Sequence, residues 1–228
     1  SGSKKRVMLS ILIPVYNYNV LPLVSELVKQ CNSCGIIFEI LCFDDDSNLF
    51  VTENQKINLF QNCSFIVLEK NIGRSAIRNL LAQKAAYENL LFLDADVVPV
   101  HDNFISNYIL ETKNKIVFGG LLYENKKPKE DQILRWIYGK GREALNLSQR
   151  KKNPSQSAFV SNLLIKKEIV SEIPFDENIT KYGYEDFIFF SVLKSNSFEI
   201  LHIENPVFHL NLETSSLFLS KTKTALEN

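Results

Sequence analysis

Cysteine is scarce in this chain. The four cysteines, Cys31, Cys34, Cys42 and Cys63, supply a single C-x-x-C pair. A zinc ribbon needs a second such pair, so that class is excluded. Cys42 lies in an apolar run, where a free thiol serves as a small core residue. Reduced, structural cysteines fit a cytosolic protein. An excess of charge is also lacking, because 26 basic and 26 acidic residues balance. That balance gives no support for nucleic acid as a partner. No apolar run reaches the roughly 20 residues that cross a bilayer. There are only 8 glycines, and no G-x-G-x-x-G run follows the first strand, which excludes a dinucleotide-binding oxidoreductase. The glycine-rich phosphate loop of a nucleotidyltransferase is equally missing after Val15. Ser1-Gly2-Ser3 reads as an appended tag, and no secretory signal is recognisable. The expected location is the cytoplasm.

What is present is a regular first half. The chain has 228 residues, 45% of them apolar, enough for one large domain. Val7–Val15, Phe38–Phe43, Phe65–Leu68 and Leu90–Leu93 are apolar strand candidates, separated by helical patterns over Val20–Gln30 and Gly73–Tyr87. Strands without a polar face, alternating with helices, predict an α/β fold with a mostly parallel sheet covered on both sides. Three strands end in polar clusters: Tyr16-Asn17, Asp44-Asp45-Asp46 and Asp94-Ala95-Asp96. In a parallel sheet these share the carboxyl edge, where ligands bind. The second half is less regular. Strands are expected over Ile116–Tyr123, Phe159–Ile165 and Ile200–Phe208. Helices are expected over Asp131–Asn146 and Tyr184–Lys194, and a loop over Lys151–Ser157. The expected organisation is 1–6 tag, 7–100 nucleotide-binding half, 101–213 acceptor-side half, and 214–228 a terminal helix or tail.

Five features can carry chemistry. Asp94 and Asp96, two apart after a buried strand, can both reach one divalent cation, and apolar delivery of two acids is costly without such compensation. Asp44 and Asp45 can accept the N–H of a pyrimidine base, with one acid of the Asp44–Asp46 trio left in a solvated turn. Arg78, early in a helix opened by Gly73, can meet a diphosphate or orient an acid, or simply lie on the helix surface. Glu185 and Asp186 open an apolar helix, as a general base or as dipole-matching charge. An acid in that first turn is expected to be held ionised, with low basicity. His209, among apolar neighbours, is either a core side chain or a third metal ligand beside the two aspartates.

In order and spacing these segments resemble the family 2 glycosyltransferases of the GT-A fold. Ser10–Asn17 (SILIPVYN) is similar to the opening strand, which meets the nucleotide through Pro14, Tyr16 and Asn17. Phe43–Ser47 (FDDDS) is similar to the uracil-binding strand end, with Asp46 where the family usually has glycine. Asn71–Asn79 resembles N-x-G-x-x-x-A-R-N, with Ile77 in place of alanine, and brings Gly73 and Arg78 to the nucleotide. Phe92–Asp96 (FLDAD) resembles the metal-binding D-x-D, with Asp94 and Ala95 also against the nucleotide. Pro174–Glu177 followed by Gly183–Asp186 is similar to the acceptor-side segment, in which the second acid, Asp186, is the base and Glu185 supports it. His209 falls where a metal-ligating histidine is common, beside Asp94 and Asp96.

The resemblance implies an inverting transferase that uses Mn²⁺ or Mg²⁺. It would move a sugar from a nucleotide-sugar, a UDP-sugar, to a glycan or lipid-linked glycan hydroxyl. Two other classes compete. Asp94-Ala95-Asp96-Val97-Val98 also fits the D-x-D-x-[TV] of an aspartate-nucleophile phosphohydrolase, although that motif normally follows the first strand. A catalytically inactive sugar-binding module on a transferase fold is the other, against which the full acid set argues. Leu217, Phe218 and Leu219 beside Lys221 and Lys223 make either a helix packed on the domain, the favoured reading, or a peripheral contact with the inner face of a membrane.

Overall fold

The strand from Met8 to Val15 (β1) buries both of its faces, with Leu9, Ile11, Leu12 and Ile13 essentially inaccessible. A strand of that kind must sit inside a sheet with layers on either side, and it does. In the computed structural model, which describes residues 6–179 and 183–225, β1 pairs in parallel with β2 (Ile37–Asp44) and β4 (Asn89–Leu93), and β2 in parallel with β3 (Cys63–Val67). Helices α1 (Leu21–Cys34), α2 (Val51–Asn54) and α3 (Arg74–Lys84) connect them. Ser1–Ser3, read above as a tag, and the last residues of the terminal segment, 226–228, lie outside the described residues.

The remaining strands and α-helices are β5 (Val97–Pro99), α4 (Phe104–Leu110), β6 (Ile116–Phe118), β7 (Leu121–Leu122), α5 (Ile133–Tyr138), α6 (Leu147–Arg150), β8 (Asn162–Lys166), α7 (Lys167–Glu172), α8 (Glu185–Ser195), β9 (Leu201–His202), β10 (Val207–His209) and α9 (Ser215–Ala225). The main sheet has the order β3-β2-β1-β4-β8-β6-β9 and the small one β5-β10-β7. Only β8 runs against its neighbours in the main sheet. The architecture is therefore the expected α/β fold with a mostly parallel sheet.

Two expected strands are each split between the sheets. Ile116–Tyr123 becomes β6 in the large sheet and β7 in the small one, and Ile200–Phe208 becomes β9 and β10. The two chains cross together: the N–H groups of Ile203, Asn205 and Val207 donate to the carbonyls of Phe118, Gly119 and Gly120. A side chain at position 119 would block the crossing, since a Cβ there would lie 2.4 Å from the Asn205 carbonyl and 2.5 Å from the Tyr108 hydroxyl. Buried Asn162 ties the corner, donating to the Gly120 and Asn205 carbonyls and accepting from Tyr108. The expected helix over Asp131–Asn146 is also interrupted. Regular α-helix covers Ile133–Tyr138 and gives way to a π turn over Gly139–Glu143, where Gly139 and Gly141 weaken helical continuation. Asn146 instead caps α6, accepting from the Gln149 N–H.

The cysteines are free, with Cys31, Cys42 and Cys63 buried. Among the described residues no helix is long and apolar enough to cross a membrane.

Candidate active site

Parallel pairing aligns the carboxyl ends of β1, β2 and β4, with Val15 opposite Asp44 and Leu12 opposite Phe92. The three polar clusters therefore open onto one cleft of about 470 Å³. Pro14, Tyr16, Asn17, Asp45, Gly73, Arg78, Asp94, Ala95, Asp96 and Glu185 line it. Asp44, Asp186 and His209 are not part of that lining, although Asp186 pairs with Arg78 and His209 with Asp96, both of which are.

On the side of β2 the turn geometry is local. Asn17, at φ 48°, accepts through Oδ1 from the N–H groups of Asn48 and Leu49. Asp44 is fully buried, and its Oδ1 accepts from Ser47 N–H at 2.7 Å. Asp45 faces the cleft with both oxygens bound by backbone amides, from Ile72 at 2.7 Å and Gly73 at 3.0 Å. Burial raises its pKa while those amides oppose the rise. Asp46 is the exposed acid of the three and takes φ 64°. An aspartate in this left-handed conformation reproduces the turn that a glycine would give. Gly73 itself caps α3 at φ 84°, ψ 166°, with open space around a hypothetical Cβ. Its glycine is required by backbone conformation and not by crowding.

On the other side α3 joins β4 to α8 by ion pairs. Arg78 is buried, with Nη1 donating to Asp186 Oδ1 at 2.7 Å and Nη2 to Asp94 Oδ1 at 3.4 Å. Arg74 donates to Glu185 Oε1 at 3.0 Å. The second oxygen of Asp186 accepts from Val160 N–H at 2.9 Å, and that of Glu185 from Gly183 N–H at 2.9 Å.

These surroundings push neighbouring acids apart. Burial opposes ionisation of Glu185, but Arg74 and Arg78 prevail and its pKa is lowered. Burial prevails at Asp186, against Arg78, and raises it, with Glu185 and Asp94 adding repulsion. The expectation of low basicity at Asp186 from the helix N-terminus is thus reversed, because desolvation outweighs the dipole. The same split separates Asp94, lowered by Arg78 and Arg74 against burial, from Asp96, raised by burial and by Asp94 against the pull of His209.

His209 reaches this point through strand register. It pairs with Val97 in the small sheet, and its Nε2 lies 3.4 Å from Asp96 Oδ2. Its Nδ1 is buried without a hydrogen-bond partner, and its ring packs on Tyr123 at 5.4 Å. Among the described residues no three His, Cys, Asp or Glu side chains converge as a closed metal site requires. Asp96 and His209 are donors of the kind that would hold a divalent ion, a carboxylate suiting Mn²⁺ or Mg²⁺ and an imidazole being a common metal ligand.

Several lining residues carry no signal in the motifs: Tyr18, Arg74, Asn211, Glu213 and Lys221. Arg74 alone had a local clue. A cation at the first position of a helix opposes the helix dipole, so it needs a compensating acid elsewhere.

The sequence matches the family described as "Glycosyl transferase family 2" over residues 10–173. That segment includes the Asp94–Asp96 turn and ends before Glu185, Asp186 and His209. No curated protein sequence matches. Among solved structures, S. aureus TarS 1-349 superposes with a TM-score of 0.63 at 17% identity, covering 90% of this chain and 60% of that one. The same fragment in complex with UDP gives 0.63 at 18% identity over 90% and 61%. In complex with UDP-GlcNAc it gives 0.64 at 18% identity over 92% and 60%. The likeness at this identity is one of fold, and this chain spans about 60% of the fragment's length.

Proposed function

The chain belongs to glycosyl transferase family 2, and on that premise we propose that it transfers a sugar from a UDP-sugar to an acceptor hydroxyl of a glycan or lipid-linked glycan, with inversion. The observation that carries this reading is the arrangement around α3. Ile72 and Gly73, the residues that lead into it, bind Asp45 on one side of the cleft, and its Arg74 and Arg78 hold Asp94, Glu185 and Asp186 on the other. A nucleotide seated at Asp45 then presents its phosphates and sugar to the second acid group.

Asp45 uses one lone pair on each oxygen for a backbone amide, which leaves acceptor capacity for the uracil N3–H. A divalent ion held by Asp96 and His209, with Asp94 beside them, would stabilise the negative charge that develops on departing UDP. Asp186 is assigned as the base. It takes the acceptor proton as that oxygen attacks the anomeric carbon, while the sugar–phosphate bond breaks and its electrons pass to UDP. Arg78 holds Asp186 in place, and burial gives the carboxyl the raised basicity such a step favours. Glu185, kept ionised by Arg74, holds the loop before α8 or binds an acceptor hydroxyl. The phosphohydrolase alternative does not follow from this family.

Incubation with a panel of UDP-sugars tests the reading. Slow UDP release is expected with Mn²⁺ and should cease with chelator, and calorimetry should show UDP binding weakened about tenfold or more by chelation. Equal UDP affinity with and without metal would remove the metal role. Phosphate release from a phosphomonoester, without UDP release, would overturn the transferase assignment. UDP binding with no turnover on any donor would turn the reading to a binding module.

A further inference from the structure

Downstream of His209 the chain passes back along the cleft. Asn211 and Glu213 line it, and α9 returns Lys221 to the same space. None of these residues has a part in the chemistry assigned so far. The Lys221 ammonium is paired with the Glu213 carboxylate, the two side chains being 31% and 18% exposed. The helix that carries the lysine is anchored. Phe218 packs against the Tyr138 ring at 5.2 Å and lies 5.5 Å from the Arg135 guanidinium. Gln132 Nε2 donates to the Leu212 carbonyl at 2.7 Å, and Ser215 Oγ accepts from Leu134 N–H at 3.4 Å. Lys221 lies three residues beyond Phe218, so one helix face both anchors α9 and delivers the ammonium.

Charge gives the lysine a purpose. The other basic side chains on the cleft already hold acids of the reaction side: Arg78 binds Asp94 and Asp186, and Arg74 binds Glu185. A diphosphate entering the cleft meets Asp94, Asp96, Glu185 and Glu213 and needs compensating positive charge. A partly exposed Lys–Glu pair is worth little by itself, so an anion can replace the glutamate at small cost. A diphosphate carries more negative charge than a single carboxylate, so it is the stronger partner for an ammonium.

Building on the UDP-sugar reading, we infer that Lys221 is a ligand of the donor diphosphate and that Glu213 is the anion it leaves when the nucleotide binds. The donor site is then completed by α9, beyond the segment that matches the family. Glu213 sets the affinity by competing for the same ammonium, which makes nucleotide binding an exchange of one anion for another.

The test is UDP binding by calorimetry with Mn²⁺, alongside uridine binding by ligand-observed NMR. The proteins compared are the wild type, Lys221→Met, Lys221→Arg and Glu213→Gln. Lys221→Met should weaken UDP about tenfold, the size of one charge-assisted hydrogen bond, and leave uridine within about twofold. Lys221→Arg should recover most of the loss, and Glu213→Gln should bind UDP more tightly than wild type. The inference is overturned if Lys221→Met binds UDP as wild type does, if uridine weakens equally, or if Lys221→Arg is as weak as Lys221→Met. Failure of the wild type to bind UDP at all would instead overturn the nucleotide reading on which this one stands.

Discussion

The two sides of the cleft keep buried acids by different means. At the β2 side, Asp45 is held by the backbone amides of Ile72 and Gly73, the two residues that lead into α3. At the α8 side, Asp94, Glu185 and Asp186 are held by arginine side chains, with Arg74 and Glu185 separated by 111 positions and Arg78 and Asp186 by 108. Amides are neutral, so they secure one carboxylate without disturbing others. Guanidinium groups act on every acid within range, and four acids around two arginines are split into lowered and raised members. A site that only recognises a base can use the first arrangement. A site that must move a proton gains from the second.

The most severe way to break this contrast is at Asp186, the proposed proton acceptor. Asp186→Asn keeps the shape and removes the charge, and turnover should fall by about two to four orders of magnitude with UDP affinity within a few-fold of wild type. Steady-state kinetics beside calorimetry would decide it. If Asp186→Asn stays active while Glu185→Gln is dead, the two roles are exchanged.

The arginines come next. Arg78→Met leaves Asp94 and Asp186 without their buried counter-charge and should cost about 3–5 kcal/mol in urea unfolding. Arg74 has a side chain 49% exposed, so Arg74→Met should cost no more than about 1 kcal/mol. Similar costs for the two would mean that burial does not distinguish them.

On the amide-held side the expected effect is on recognition and not on stability. Asp45→Asn keeps the turn but replaces a pure acceptor with a mixed group. UDP should bind about tenfold more weakly, and the preference for UDP over GDP and ADP should shrink. Competition titration measures both. An unchanged preference would detach Asp45 from base recognition.

Much of the first half was legible in residue order. β1, β2 and β4 are largely apolar, with Ser10, Glu39 and Asn89 as exceptions, and such runs read as interior strands of a covered sheet. Their abrupt ends in Asn17, Asp44–Asp46 and Asp94–Asp96 then mark one edge. Asp46 shows the limit of motif reading: its departure from glycine looks disruptive in sequence, yet its backbone takes the left-handed turn. The second half was less legible. Nothing in Ile116–Tyr123 says that it changes sheets, because the change depends on the approach of Asn205 and Tyr108 to Gly119. Arg78 gave no local sign that it is buried, since its partners come from other elements.

The sequence by itself determined which strands are interior, where they stop, and which acids stand at their ends, because apolar periodicity and turn chemistry act over a few residues. Only the tertiary structure decided which acids share an arginine, which of each adjacent pair is lowered or raised, that β10 sets His209 against Asp96, and that α9 brings Lys221 to the cleft. Those outcomes depend on burial and on charge pairs formed across long stretches of chain, and neither quantity exists until the elements have packed.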